Sequence, residues 1–486
     1  MDSEKVKKII IISVIVVAVL VIGTVAAILI ANSRNKSTND PSLVTTKPTT
    51  IRVWGLWEDD TTFSSIIDAY KTKNPNITIS YKNREDVRQN YKNTLKSRLE
   101  EGNSEQVPDI FIIHNTWTEE FSKYMTPIPT NIYSSSQIQS TFVPSVYQSL
   151  SVGESTYSLP IGYDGLGLYY NKKLLSDKGI TLPATDWDKF KTDAVKLTLK
   201  DSSGKIVVAG AALGAMSNVD FSFEILSTLM MQNGATMTDA NGTVTTFGTD
   251  TAAASALKYY ADFTNTNATW DKSLPRDITM FAEGRLAMMF APLWRADSIK
   301  KANPDLDFDI AAIPQLADIS GTKRIDYADY WSYGVASVSQ NKAQAFDFLK
   351  YLTSKEALNT LSSKASTVRL FGQFPSRSDM LSDQTSVKYF GGFTKMAQTG
   401  QTWKMYDKES VSEIFKTDID ANISTTSTLS GAQNVMGGIA TKVNQILSNK
   451  EGKTVVKESS SSSNSSLNQD PLDLWQIKRP KMTMIS

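Results

Sequence analysis

The chain has 486 residues, enough for two or three separately cored domains; its 51 Lys and Arg balance 50 Asp and Glu, so no broad attraction to nucleic acid or acidic partners is expected. It has no cysteine, which excludes disulfides, thiolate zinc sites, cysteine nucleophiles and attachment through a lipid-modified cysteine. A single histidine, His114, excludes multi-histidine metal sites within one chain, leaving carboxylates, Lys, Tyr, Ser and Thr as chemically useful groups.

Residues 1–8 contain Lys5, Lys7 and Lys8 and precede an uncharged run rich in Ile and Val, residues 9–31. As a helix this run would be about 35 Å long at 1.5 Å per residue, enough for a hydrocarbon core of roughly 30 Å. Arg34 and Lys36 follow it. The lysines ahead of the run favour a cytoplasmic N-terminus with everything after it outside. A cleaved signal peptide is the rival, with Thr24-Val25-Ala26 as a poor cleavage site. The run exceeds the roughly 7 to 15 residues of a signal core, so the expectation is one uncleaved transmembrane anchor. Residues 32–50, rich in Ser, Thr, Asn and Lys, have linker composition.

The body, from residue 51 to about 450, alternates strands and helices. Ile51, Val53 and Trp54 form a first strand ended by Gly55. Phe63, Ile66, Ile67 and Tyr70 share one helix face, and Pro75 terminates that helix. Ile77, Ile79 and Tyr81 alternate as a half-buried strand, and Val87, Tyr91, Leu95 and Leu99 repeat as the next helix. Residues 110–113 are a continuous apolar run suited to a buried parallel strand. This is the pattern of an open α/β sheet, whose ligands bind beyond the carboxyl ends of its strands. That rule points to two loops, Trp54-Gly55-Leu56-Trp57-Glu58-Asp59-Asp60 and His114-Asn115-Thr116-Trp117. Both place aromatics beside hydrogen-bonding groups, the combination that stacks on a sugar ring and bonds its hydroxyls.

Leu159 to Leu175, LPIGYDGLGLYYNKKLL, mixes three glycines with large apolar residues, so its backbone must turn or approach something closely. Leu168 to Tyr170 then reads as a strand and Asn171 as a helix start. The stretch reads as a crossing between two α/β lobes, with Tyr163 and Asp164 at the mouth where a small solute would sit. Beyond it, Trp187, Phe190, Ala194 and Leu197 line a helix capped by Thr185, and residues 221–231 form another apolar helix. Asn241-Gly242 marks a tight turn. FAEGRLAMMF reads as a helix end, a glycine and a strand, followed by Pro292 and Trp294. Ala345, Phe348, Leu349 and Leu352 mark a further helix, and Ser354 opens the next. Residues 459–466 are a serine and asparagine run that cannot bury a core. Residues 470–486 show no clear period and fit disorder, a weak docking peptide or foreign sequence.

In order along the chain, IRVWGLW, AYKTKNPNITISY, PDIFII with its aromatic loop, YSLPIGYDGLGLYYNKKLL, LPATDWDKF, FAEGRLAMMFAPLW and WSYGVASVSQNKAQAFDFLKYLTSKEAL resemble the extracellular solute-binding proteins of ABC importers, in particular the sugar- and maltose-binding group. The resemblance covers about 400 of the 486 residues. It implies an α/β fold of two lobes joined by a hinge and closing on ligand. One lobe would take residues 51–160 and 314–358 and the other 161–313. C-terminal helices over 359–450 would lie across both, ahead of a low-complexity tail at 451–486. The anchor departs from the commoner lipid-attached or free forms.

Each candidate site residue has a plainer reading. Trp54 lies on the strand and reads as core. Trp57 and Glu58 suit either ligand contact or surface packing, and Asn115 shares its loop with Trp117, which could instead staple its helix. His114 reads as a structural histidine. Tyr163 and Asp164 stand where the resembled family presents ligand contacts, and Trp294 where it often places a stacking tryptophan. In the cluster Asp329, Tyr330, Trp331 and Tyr333, Trp331 is the candidate. Trp403 and Arg377 are weaker candidates from the C-terminal part. Tyr169, Tyr170, Leu229 to Met231, Trp187 and Trp270 read as structural.

Three functions remain open: a solute-binding protein delivering a sugar to ABC permease subunits, a glycoside hydrolase using Glu58 and Asp164, and a receptor or adhesin subunit that signals to another membrane protein. A hydrolase needs two carboxyl groups roughly 5 to 9.5 Å apart, and no catalytic motif is visible. The leading expectation is the first: a monomer anchored in the membrane, its binding domain outside, with no enzyme activity, catalytic residue, metal or cofactor and no nucleic-acid partner.

Overall fold

The computed structural model describes residues 47–102, 106–316 and 323–449. The expected cytoplasmic tail, the anchor over residues 9–31, most of the linker and the tail after 450 lie outside the described residues. Among the described residues no helix is long and apolar enough to cross a membrane.

Strand β1 (Thr49–Gly55) buries Ile51, Val53 and Gly55 on one face, as its alternation requires. Helix α1 (Asp60–Lys73) starts where the Asp59 carboxylate accepts the Thr62 amide and ends ahead of Pro75. Strand β2 (Ile77–Asn83) pairs with β1 in parallel. Next come helix α2 (Tyr91–Glu101) and strand β3 (Ile110–His114), every residue of which is buried. Short helices then lead to β4 (Ser158–Leu159).

The chain now enters a second sheet through β5 (Leu166–Asn171), α3 (Trp187–Leu197), β6 (Leu199–Lys200) and β7 (Ile206–Ala211). Helices α4 (Ser222–Gln232) and α5 (Thr251–Asn265), strand β8 (Leu286–Pro292), helix α6 (Arg295–Ala302) and strand β9 (Phe308–Ala311) follow. After a two-residue strand, β10 (Asp326–Tyr327), strand β11 (Trp331–Val335) returns to the first sheet, and α7 (Lys342–Leu352) and α8 (Lys355–Ala365) pack there, α8 against α1. Helix α9 (Phe390–Met396) lies on the second sheet, β12 (Gly400–Gln401) pairs with β10 between the lobes, and α10 (Lys408–Asn422) and α11 (Leu429–Asn449) cover α4 and α5.

The two five-stranded sheets run β2-β1-β3-β11-β4 and β9-β5-β8-β7-β6. Each mixes parallel pairs with one or more antiparallel strands: β11 is antiparallel to β3, and β5 to both β8 and β9. Because β1 and β3 are parallel, their carboxyl ends emerge together, and β11 begins at that same edge. This sheet edge is where the aromatic loops gather.

Two local expectations need correcting. The helix expected from Val87 to Leu99 is broken: Glu85–Asn90 is a tighter 3-10 turn with Val87 at φ −124°, ψ 19°. Asn83 accepts the Glu85 amide and Arg84 pairs with Asp86, so local side-chain bonds hold the turn instead of the helix ladder. The cap of α3 is Asp186, not Thr185: the Asp186 carboxylate accepts the Lys189 amide at 2.8 Å. The Thr185 carbonyl instead accepts the Gln315 amide, which places the following residue at the helix mouth. The Asn171 and Ser354 caps are as expected, accepting the Leu174 and Ala357 amides.

Candidate functional site

The first lobe contributes one aromatic wall. Antiparallel register places Trp331, the first residue of β11, opposite His114, the last residue of β3. Three rings meet the Trp331 indole edge to face: Trp57 at 5.3 Å, His114 at 5.2 Å and Trp117 at 5.1 Å. Trp57, 39% exposed, and the half-buried Trp331 are the members open to solvent. Trp117 is buried and its indole N–H donates to Glu409 at 2.8 Å, with the Lys92 ammonium over its ring. Asn115 is also buried and ties the wall to the connection before β11, donating to the Ala328 carbonyl and accepting the Tyr330 amide.

Glu58 follows Trp57 but turns inward, 5% exposed, with its carboxylate on the Arg369 guanidinium at 2.7 Å. Burial pushes its carboxyl above the ordinary range although Arg369 opposes the shift. The next residue bonds the other lobe, the Leu370 amide donating to Asp297 of α6, so residues 369 and 370 form a strap between the two.

The second wall is built on the crossing. Tyr163 is buried against Tyr330 and Phe374, and its neighbour Asp164 joins the lobes. One carboxylate oxygen of Asp164 accepts the Gly165 amide at 2.7 Å and the Leu293 amide at 2.8 Å, while the other accepts that of Trp294 at 3.4 Å. Its carbonyl accepts the Asp329 amide at 3.0 Å. Burial, with Asp329 adding to it, raises the Asp164 carboxyl to about 7 against the hydrogen bonds from those amides. Trp294, 39% exposed, has Arg295 stacked 4.2 Å from its ring and Phe221 edge-on at 6.5 Å. Asp220 holds Arg295 at 2.8 Å and also pairs with Arg276.

Beneath the walls runs a charge chain with buried ends, His114 and Glu224, and half-buried middle members, Asp329 and Lys408. His114 Nε2 lies 2.8 Å from Asp329 Oδ1, the same oxygen is 2.9 Å from Lys408 Nζ, and Lys408 also bonds Glu224 at 2.9 Å. Although burial opposes it, Lys408 and His114 hold the Asp329 carboxyl well below the usual carboxylate range.

The structure thus brings Trp57, Glu58, Asn115, Trp117, Tyr163, Asp164, Trp294 and Trp331 to one inter-lobe region, with Trp57, Trp331 and Trp294 presenting surface. Trp403 is not among them: it is buried between Phe223 and Phe247 in the second lobe and donates to Ser227. Arg377 pairs with Asp379 and bonds the Thr353 carbonyl on the first lobe. Trp54 is half-buried beneath the Arg84 guanidinium. Sequence reasoning missed Arg369, Asp297, Phe221, Lys408 and Glu224. None belongs to a local motif, and Arg369 stands 311 residues from Glu58. A separate cavity of about 150 Å³ beside Arg52, Asp109 and Ser339 lies at the opposite end of the first sheet. There the Asp109 carboxylate is already bonded to the Arg52 amide and to Ser339 and Asn341.

Comparison with known proteins adds a family. The model for bacterial extracellular solute-binding proteins matches residues 54–358. A chain of Brucella abortus (strain 2308) that carries a binding-protein name is 26% identical over 306 residues, which is 60% of this chain and 69% of the relative. The maltotriose-binding protein of Pyrococcus abyssi is 23% identical over 299 residues, 60% of this chain and 59% of that one. Among solved structures, the sugar-binding protein MalE from Xanthomonas citri superposes with a TM-score of 0.66 at 15% identity, covering 83% of this chain and 98% of that chain. At that identity it shows the fold, two α/β lobes.

Proposed function

The chain belongs to the bacterial extracellular solute-binding proteins, and from that premise we propose that it captures an uncharged carbohydrate between its lobes and delivers it to the membrane subunits of an ABC importer. The observation that carries this reading is the pair of solvent-open aromatic surfaces, Trp57 with Trp331 on one lobe and Trp294 on the other, joined through Asp164 and Asp329. Indole faces suit the C–H face of a sugar ring. The names of relatives agree, since one binds maltotriose and another, from Streptococcus mutans, is a multiple sugar-binding protein.

The charges favour a neutral ligand. Lys92, Arg369, Arg295, Arg276 and Lys408, cations at the aromatic walls and behind them, are each paired with a carboxylate. An anionic solute would have to displace one of them. Catalysis by Glu58 and Asp164 is disfavoured on the same ground, because Arg369 occupies one carboxylate and three backbone amides the other. The apolar run over residues 9–31 would tether the binding body outside the cytoplasmic membrane, with lobes over residues 51–160 and 314–358 and over 161–313, and helices over 359–450 bridging them.

The test is a thermal-shift screen of the chain in detergent against mono- and oligosaccharides, sugar phosphates and amino acids. A ligand held by the native state raises the melting temperature by mass action. A rise with neutral sugars alone, the sugar recovered intact, is the expected result. Cleaved sugar would replace binding by hydrolysis, and silence toward every sugar would sink the carbohydrate reading.

A further inference from the structure

Residues 369–374 run from one lobe to the other and back to the crossing. The Arg369 amide donates to the Ala365 carbonyl at the end of α8, at 2.9 Å, and its guanidinium reaches Glu58, the residue after Trp57. The Leu370 amide then donates to Asp297 at 3.0 Å, which lies about one helical turn past Trp294. Phe371 packs edge-on against Phe390 of α9 at 5.3 Å. Gly372 sits so close to α8 that an added Cβ would come within 2.1 Å of Ser362 Oγ. The Phe374 carbonyl accepts the Tyr163 amide at 3.0 Å, beside Asp164. The strap is thus fixed at both of its ends and tied to both lobes between them.

These ties close a ring around the three solvent-open indoles. From Trp331 it passes to Trp57 through their ring contact, from Glu58 through Arg369 and Leu370 to Asp297, and along α6 to Trp294. It returns from the Trp294 amide through Asp164 and Asp329 to Trp331. On the strap side the gap is spanned by two residues of backbone, about 7 Å at full extension, and one guanidinium side chain. A solute touching indoles of both lobes therefore has protein chain on two sides, the crossing and the strap. A ring-shaped solute could enter only by breaking one of the strap's ties. Breaking the Arg369 tie strands the carboxylate of Glu58, which is 5% exposed, without its cation.

We propose that Arg369 and Leu370 are specificity-determining residues of the solute site: by closing this ring they admit a carbohydrate that enters by a free end and reject a cyclic one, which has no end to lead with. The proposal rests on the reading that Trp57, Trp331 and Trp294 hold a neutral sugar, and it deepens that reading by naming the shape of sugar accepted.

The experiment has two arms on the full chain in detergent. In the first, calorimetric titration compares maltohexaose with cyclomaltohexaose, which share sugar units and linkages and differ in having ends, in the wild type, Arg369→Ala and Asp297→Ala. The wild type should bind the linear sugar about tenfold or more tightly than the ring, a difference of one decade in Kd. Each variant should bring the two affinities together by gaining affinity for the ring. The two variants release opposite ties, so Asp297→Ala decides the matter should Arg369→Ala fail to fold. Lys301→Ala, which removes the other partner of Asp297 and leaves the strap tied, should discriminate as the wild type does. Equal wild-type affinity for the two sugars overturns the proposal, as does discrimination that persists in the strap variants or a wild type that rejects both sugars while the variants bind them.

Silence toward both sugars in every chain counts against the carbohydrate reading alone, and the second arm then decides whether this side is closed. It follows amide hydrogen exchange at Leu370, which reports local opening. Protection in the ligand-free wild type that is lost in both Asp297→Ala and Arg369→Ala supports a single closed strap. Free exchange in the wild type, or protection that survives either substitution, overturns it.

Discussion

At the scale of single residues, the candidate site separates rings that face solvent from rings that support them. Trp294 is the open face of the second wall, braced from behind by Arg295. Trp294→Ala is expected to weaken sugar binding by about 1 to 3 kcal/mol, the cost of losing a stacked ring in an aromatic anchor, with the melting temperature of the free protein little changed; calorimetric titration against the sugar found by screening measures it. Asp164 carries a second prediction. Its carboxyl is raised from 3.8 to about 7 by burial, so the folded chain holds this proton at pH values where the unfolded chain has lost it. The stability that follows is fully present below pH 3.8 and is lost as pH rises through about 7. Between pH 5 and pH 8 the wild type should therefore lose urea resistance relative to Asp164→Asn, and parallel curves for the two would contradict the assignment.

At the scale of elements, fit between neighbours decides what a position tolerates. Gly210 of β7 lies against α3, where an added Cβ would come within 1.8 Å of the Ala194 carbonyl oxygen and 2.8 Å of Thr198 Oγ1. Both neighbours are already committed, since the Thr198 hydroxyl donates to the Ala194 carbonyl and accepts the Gly210 amide. Gly210→Ala should cost about 1 to 3 kcal/mol or more by forcing helix and strand apart, read from the urea midpoint. Nothing in the sequence around Gly210 marks it, because the clash comes from a helix laid across the strand. The broken helix at Val87 and the cap shifted to Asp186 have the same origin: hydrophobic period and capping residues were legible, but side-chain bonds around Arg84 and backbone bonds to Gln315 set the boundary.

At the scale of the whole molecule, the strap around Arg369 and Leu370 holds one lobe at Glu58 and the other at Asp297. Arg369→Ala leaves the buried Glu58 carboxylate without its cation, so urea stability at pH 8 should fall by about 1.5 to 3 kcal/mol, the range for hydrogen bonds to charged groups. Small-angle scattering should also record a larger mean radius for the ligand-free variant, and an unchanged radius would show that the strap does not restrain the lobes. By itself the sequence determined the α/β alternation, the order of elements, the apolar face of most helices and the loops that carry aromatics. These follow from spacing along the chain, and spacing is set by 3.6- and 2-residue periods that any reader can count. Only the tertiary structure decided which of those aromatics meet, that Trp403 goes to a core, and that His114, Asp329 and Lys408 form one charge chain. Those contacts join residues up to hundreds of positions apart, and their partners are chosen by sheet register and by how two lobes close on each other, which no local pattern encodes.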